Sequence, residues 1–328
     1  MSPRPDAFRA TRSGRRLARL IDRFGAADVA AALQRRWEEN MVQLVQHYRR
    51  VYGAKNLVLT GGVFLNVQIN SVLAELEGIE QIYVYPHTGD GSTAIGAALE
   101  AQRELSGRSP RPNLRDTGLG LSFDDAAIES AIRRWGDRIS YARVPDPSDY
   151  AAAELAKGKV IGWFQGREEY GPRSLGHRSL LGDPRDKAIQ RRMTVEIKGR
   201  AAWIPIAPSV LCEHGNAYFD HFVNDPFMTR VYRAKASQHS SMSAALHRDG
   251  TARAQAVDKQ CYRPFRDLLQ RFYERTHMPM LLNTSLNRHG EPIVHRPEEA
   301  LSLLIDTPMD ALVIGSFAVQ RRKSSATE

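Results

Sequence analysis

Residues 160–185 read VIGWFQGREEYGPRSLGHRSLLGDPR. The opening run Val160-Ile161-Gly162-Trp163-Phe164 reads as a strong apolar strand. Its continuation is broken by Gly166, Gly171, Pro172 and Gly176, which punctuate a loop carrying Arg167, Arg173 and Arg178. In α/β folds ligands sit at the carboxyl ends of strands, where such a loop lies. Three arginines spaced by six and five residues, on a loop stiffened by Pro172 and loosened by Gly171 and Gly176, suit guanidinium groups converging on a phosphorylated or carboxylated ligand. Solvated surface arginines are the plain alternative. The density of Gly and Pro beside the charges speaks against it.

The surrounding pattern stays α/β. Downstream of residue 118, helices are expected over 125–135, 148–157, 264–274 and 297–304, with strands at 139–144, 160–164, 278–282 and within 311–319. Upstream, Val29, Leu33, Trp37, Met41, Leu44 and Tyr48 recur at steps suited to one apolar stripe on a helix running from Asp28 to near Gly53. A short strand at 56–59 empties into Thr60-Gly61-Gly62, with 64–76 at helical spacing. A second strand at 81–85 empties into His87-Thr88-Gly89-Asp90-Gly91, followed by a small-residue helix over 92–105. Residues 106–118, SGRSPRPNLRDTG, read as an interdomain linker.

Composition bounds the function. The chain has 328 residues, 46 Lys and Arg against 37 Asp and Glu, and a net charge of +9. Residues 1–20 contribute a surplus of five positive charges and residues 167–200 a surplus of four, which together account for the excess. The first cluster reads as a frayed, solvated arm. No stretch approaches the ~20 apolar residues of a membrane span, and the amino terminus has no secretory apolar region, so a cytoplasmic protein is expected. Cys212 and Cys261 are too few for a disulfide framework and not spaced for zinc.

Further constellations could carry chemistry. Gly61 and Gly62 allow close approach of a phosphate, with Asn66 placed for a ribose or base; a purely geometric turn is the alternative. Asp90 suits either a divalent metal or a helix cap. Lys198 and Arg200, followed by a proline-ruled strand ending at Ser209, could present cations and a hydroxyl to a triphosphate. His247, Asp249, Thr251, Arg253 and Gln255 alternate and on a strand would share one face. Asn283, Thr284, Ser285 and Asn287 offer short neutral hydrogen bonds to phosphate or carbamate.

Taken together, FQGREEYGPRSLGHRSLLGDPR, IKGRAAWIPIAPSVL, HRDGTARAQAV and NTSLNRHGEPIV resemble the carboxyl-terminal domain of the NodU/CmcH/TobZ family of O-carbamoyltransferases. LTGGVFLNVQIN and YPHTGDGSTAIGAAL resemble the second half of that family's amino-terminal ASKHA (actin-like ATPase) domain. The resemblance implies an α/β protein: a basic arm (1–27), a partial ASKHA carbamoyl-transfer domain (28–105), the linker (106–118) and a YrdC-like mixed α/β domain (119–328). It implies that the YrdC-like domain converts carbamoyl phosphate and ATP to carbamoyladenylate, and that the ASKHA domain passes the carbamoyl group to a hydroxyl-bearing small-molecule acceptor.

Arg167, Arg173, Arg178, Lys198 and Arg200 would then supply cations, with Ser209, His247, Asp249 and Arg253 also in the catalytic set. Thr251, Asn283, Thr284, Ser285 and Asn287 would surround the same ligand. Gly61, Gly62 and Asn66 fall where the family cradles nucleotide, and Asp90 falls on its metal-ligand Asp, implying Mg2+ and Fe2+ or another divalent metal.

Two departures stand out. Ile204 precedes Pro205-Ile206-Ala207-Pro208-Ser209 where family members usually carry Arg. None of the ten histidines forms the HxxxH pair of the family's first half. The expectation is therefore a split carbamoyltransferase, with a separate subunit supplying the missing ASKHA half and completing the metal site. The rivals are a stand-alone carbamoyladenylate-forming enzyme and a non-catalytic binding subunit. No membrane partner is expected, and a nucleic-acid partner ranks last because the aromatics are not interleaved with the basic motif.

Overall fold

The structure, a computed structural model, describes residues 11–109 and 114–322. It divides into two compact units. One takes the chain up to Leu59 together with Gln68–Tyr83, and the other takes Thr60–Val67 and everything from Val84 onward.

The first unit opens with helix α1 (Arg12–Phe24), whose first turn is capped by the Thr11 hydroxyl accepting from the Gly14 amide. The expected frayed arm is thus helical from Arg12; residues 1–10 lie outside the described residues. Leu17, Leu20, Ile21 and Phe24 supply the helical spacing that the arginines obscure. Helix α2 (Ala26–Tyr52) ends on Gly53 in the left-handed conformation. Its stripe forms but is not core: Val29 is 8% exposed, whereas Leu33, Trp37, Leu44 and Tyr48 are 48–53% exposed. Strands β1 (Asn56–Leu59) and β2 (Gln81–Val84) pair as a small sheet, and helix α3 (Val67–Ala74) buries Ile69 and Leu73.

The second unit contains helix α4 (Ser92–Ser106), helix α5 (Asp125–Arg133) and an eight-stranded mixed sheet. In chain order come β3 (Ile139–Arg143), α6 (Pro147–Ala156), β4 (Ile161–Phe164), β5 (Arg178–Gly182), α7 (Lys187–Arg191), β6 (Ala207–Leu211), the single turn α8 (Gly215–Tyr218), β7 (Tyr232–Arg233), β8 (Thr251–Ala252), β9 (Gln255–Val257), α9 (Arg263–Thr276), β10 (Met280–Ser285), α10 (Pro297–Asp306), β11 (Ala311–Ile314) and β12 (Phe317–Arg321). The sheet order is β3-β12-β11-β4-β5-β10-β6-β9, with β4–β11 and β6–β9 parallel and the other pairs antiparallel.

The expected α/β class with a mixed sheet is what forms. α6 packs on α9 and α5 on α10, around a core that includes Trp163, Leu181, Val210, Phe265, Phe272 and Leu312. Burying an apolar side chain of that size contributes about 1.5–3 kcal/mol, so this continuous core makes the central strands a stiff base for the loops above them. No described helix is long and apolar enough to cross a membrane.

Candidate functional site

The loop from Gly171 to His177 is tied down through the backbone of its second half, Ser174 to His177. Pro172 fixes its entry, while Gly171 and Gly176 take φ angles of 114° and 115°, which only glycine adopts readily. At Gly176 a Cβ would also lie 2.3 Å from the Phe265 ring. The Ser174, Leu175 and Gly176 carbonyls accept from Asn283 Nδ2 (3.1 Å), Gln255 Nε2 (2.9 Å) and Trp163 Nε1 (2.8 Å). The Ser174 hydroxyl donates to the Arg178 carbonyl. Residues 117–121 run alongside: Gly118 bridges Glu169, the Tyr170 amide donates to the Thr117 carbonyl (2.6 Å) and Arg167 Nη2 to the Leu119 carbonyl (2.7 Å).

All this scaffolding presents one side chain, Arg173. The Arg173, Arg200 and Arg253 guanidiniums have no hydrogen-bond or carboxylate partner among the described residues, and the Nε atoms of Arg200 and Arg253 are buried without one. Burial lowers the pKa of each. Arg200 lowers that of Arg173 further, and repulsion from both Arg173 and Arg200 helps bring Arg253 down to about 9. At neutral pH they remain cations, held together with nothing described to neutralise them. Such clustering costs free energy unless an anion completes it.

Lys198 takes a different part. Six residues of π-helical backbone, Arg192–Ile197, deliver it into the interior, where it is 1% exposed. Its Nζ lies within hydrogen-bond distance of the carbonyl and Oγ of Ser285 (2.5 and 3.0 Å) and of the carbonyl and Oδ1 of Asn287 (3.2 and 2.6 Å). Burial, then the Arg200 charge, pushes its pKa down to about 6. Lys198 therefore joins β10 to the Arg200 turn, and Arg200 projects where Lys198 does not. Beside them opens a cavity of about 600 Å³ lined by Tyr170, Pro172, Arg200, Ser285, Asn287 and Ile293. A second, of about 1230 Å³, is lined by Trp203, His247, Arg248 and Asp249 among others.

Several expected ligand groups are engaged internally. Arg178 is fully buried; its guanidinium lies 3.5 Å from the Phe164 ring centroid and donates to the carbonyls of Gln165 (2.8 Å) and Gly166 (3.1 Å). It is a structural cation and not an open one. Ser209 Oγ donates to Gln255 Oε1 (2.6 Å) and accepts from Asn283 Nδ2 (2.9 Å), so both Ser209 and Asn283 serve the loop from within.

Residues 247–255 do not form one strand face. Gly250 at φ 76° and an Asp249 side chain accepting from the Thr251 amide (3.0 Å) make a tight turn, leaving strand only at Thr251–Ala252 and Gln255–Val257. The turn still gathers the polar groups: His247 Nδ1 lies 3.0 Å from Thr251 Oγ1, which donates to Asp249 Oδ1 (2.7 Å). Burial lowers the His247 pKa, which favours the neutral ring. Thr284 lies in β10 opposite Leu180, with no side-chain role that the structure explains.

On the amino-terminal side, Gly61 at φ 110° donates its amide to the Thr88 carbonyl (2.7 Å), drawing the loops after β1 and β2 together beside Gly62 and Asn66. The His87 ring meets Tyr170 edge-on at 5.0 Å, and the Tyr170 hydroxyl donates to the Gly91 carbonyl (2.9 Å). These loops thus reach the stretch that carries Arg173. Asp90 is not the cap of α4. The cap of α4 is Gly91 without a side-chain bond, and no group of three or more metal-ligating side chains occurs among the described residues. The residues present do not amount to a metal site. The unpaired arginines, by contrast, fit the phosphates of ATP.

Sequence reasoning passed over Glu169 and named Gln255 only as part of a strand face. The one signal for Glu169 was its place, with Glu168, as one of two adjacent carboxylates in a glycine-rich, arginine-bearing loop.

The fold is α/β, and its site holds three part-buried arginines, Arg173, Arg200 and Arg253, that repel one another and have no partner among the described residues. The chain belongs to the carbamoyltransferase family: the family profile described as Carbamoyltransferase C-terminus matches residues 152–321, and that described as Carbamoyltransferase N-terminus matches residues 7–99. It is 37% identical over 302 residues to Nodulation protein NolNO of Sinorhizobium fredii, covering 91% of this chain and 44% of that one. It is 37% identical to Nodulation protein NolO of Bradyrhizobium diazoefficiens (91% and 55% covered) and 33% identical to the 3'-hydroxymethylcephem-O-carbamoyltransferase of Amycolatopsis lactamdurans (81% and 49%). The chain spans about half the length of the curated relatives it matches. Among solved structures, full-length HypF in its phosphate- and nucleotide-bound form aligns at a TM-score of 0.34 with 16% identity, covering 62% of this chain and 28% of that one, below the level at which a shared fold follows.

Proposed function

We propose that this chain carries the carbamoyl-activating part of an O-carbamoyltransferase. Water hydrolyses carbamoyl phosphate to carbamate and phosphate, a carbamate oxygen attacks the α-phosphorus of ATP to form carbamoyladenylate with loss of pyrophosphate, and attack of an acceptor hydroxyl on the carbamoyl carbon then releases AMP. The observation that carries this reading is the convergence of Arg173, Arg200 and Arg253 without a partner. Exchanging a phosphate for an adenylate concentrates several phosphoryl charges at one acyl carbon, and preorganised cations in a water-poor site stabilise them without reorganisation. Guanidiniums also match phosphate oxygens in a two-pronged geometry. Lys198 holds Ser285 and Asn287 beside Arg200, and Thr88 lines the same small pocket as Arg173. Acceptor binding and any metal belong to the rest of the transfer domain, whether joined to this chain or carried by another subunit.

The test is carbamoyl-phosphate-dependent exchange of labelled pyrophosphate into ATP, run with the chain alone and with the remaining transferase domain supplied. Exchange that requires carbamoyl phosphate and is lost in Arg173→Ala supports the proposal. Exchange independent of carbamoyl phosphate, or unaffected by that substitution, refutes it. Activity of the chain alone would favour the stand-alone adenylate-forming alternative over a split enzyme.

A further inference from the structure

The arginine loop contains an anion site that is already full. The amides of Leu175, His177 and Arg178 all point inward, and each donates to the Glu169 carboxylate, at 3.0, 2.7 and 3.1 Å. Convergent backbone amides of this kind bind free phosphate or carboxylate in other folds. Here the chain supplies the anion itself, from a side chain 5% exposed and held from behind by the Gly118 bridge. Asn283, Gln255 and Trp163 take the Ser174, Leu175 and Gly176 carbonyls, so Glu169 is what remains to satisfy the amide side of the loop.

Without Glu169, three buried donors would be orphaned in a loop that needs two positive-φ glycines to exist. The nest would relax, and with it the position of Arg173.

We infer that Glu169 is a positioning residue: its carboxylate occupies the nest formed by the Leu175, His177 and Arg178 amides and thereby fixes Arg173 for the ligand phosphates. It touches no substrate. The inference rests on the anion-binding reading given above, and two separate measurements distinguish the two.

The first needs no ligand for the arginines. In the full chain carrying Glu169→Ala, sodium formate is expected to raise the melting temperature, because formate can enter the emptied nest; formamide, of similar size and neutral, is expected not to. Wild type should show no such difference. If Glu169→Ala fails to fold in buffer, formate is expected to restore a cooperative melt. Equal effects of formate and formamide, or no recovery with either, overturn the inference.

The second measurement is calorimetric titration with pyrophosphate. Glu169→Ala should bind about tenfold or more weakly than wild type, as expected when a binding group loses its orientation, with formate recovering most of the loss. Glu169→Gln, which keeps the volume but turns an amide toward the donors, should fall between. Unchanged pyrophosphate affinity in Glu169→Ala overturns the positioning role. Failure of wild type to bind pyrophosphate would instead overturn the functional reading and leave the formate result to decide the nest.

Discussion

Arg253 and Lys198 both sit near the Arg200 charge but answer to different surroundings. Arg253 keeps its proton and lacks a partner, so it is poised for an anion; truncating it removes charge-assisted hydrogen bonds worth about 1.5–3 kcal/mol. Arg253→Ala and Arg173→Ala should each weaken pyrophosphate binding roughly 10- to 100-fold, read by calorimetry. Arg178→Ala should act first on stability, because it leaves buried carbonyls unpaired; chemical denaturation separates the two effects.

Lys198 makes a pH prediction. Its pKa is about 6 in the folded protein against an ordinary lysine value of 10.5, which the unfolded chain regains, so between those values the unfolded chain binds one proton more than the native chain does. Stability attributable to this residue therefore rises with pH across the window and falls as pH drops toward 6. Lys198→Met should flatten that slope in pH-dependent urea denaturation. A ligand anion beside Arg200 would favour the ammonium again, so pyrophosphate binding at pH 8 should take up protons, measurable by titration in buffers of different ionisation enthalpy.

Elements were legible where one signal dominated. The strand at Val160–Phe164 and the helix now seen as Arg263–Thr276 showed in their apolar spacing, because burial imposes that spacing whatever the tertiary partner. The turn at residues 247–250 was misread because alternation is common to an exposed strand and to an Asp-Gly turn; only Gly250 at positive φ separates them. The π-helical stretch that buries Lys198 left no mark, since its extra backbone residue per turn depends on packing.

Much the same holds for the site. Arg173, Arg200 and Arg253 could be singled out by residue type. That Arg178, five residues from Arg173, turns inward depends on Phe164 and four carbonyls that no spacing reveals. At the element scale the sharpest test is Gly176→Ala, which combines a positive φ with a methyl driven into Phe265. It should destabilise by about 1–3 kcal/mol in equilibrium unfolding and weaken pyrophosphate binding with it.

At the scale of the molecule, the family assignment rests on sequence matched over most of the chain, and the proposed arginine cage rests on charges left open in the fold. The +9 of the whole chain resolves into a basic amino-terminal segment and a basic stretch that contains Arg173 and Arg200. Both cavities border that stretch, one at Tyr170, Pro172 and Arg200 and the other at Lys187 and Gln190. The central claim is that these three arginines form a phosphate-binding cage. It is tested most directly by titrating ATP and carbamoyl phosphate into wild type and into the Arg173→Ala/Arg253→Ala double variant. Saturable binding of both ligands to wild type, lost in a double variant that still unfolds cooperatively, is the predicted result. No saturable binding to wild type, or equal affinity in the double variant, would contradict it.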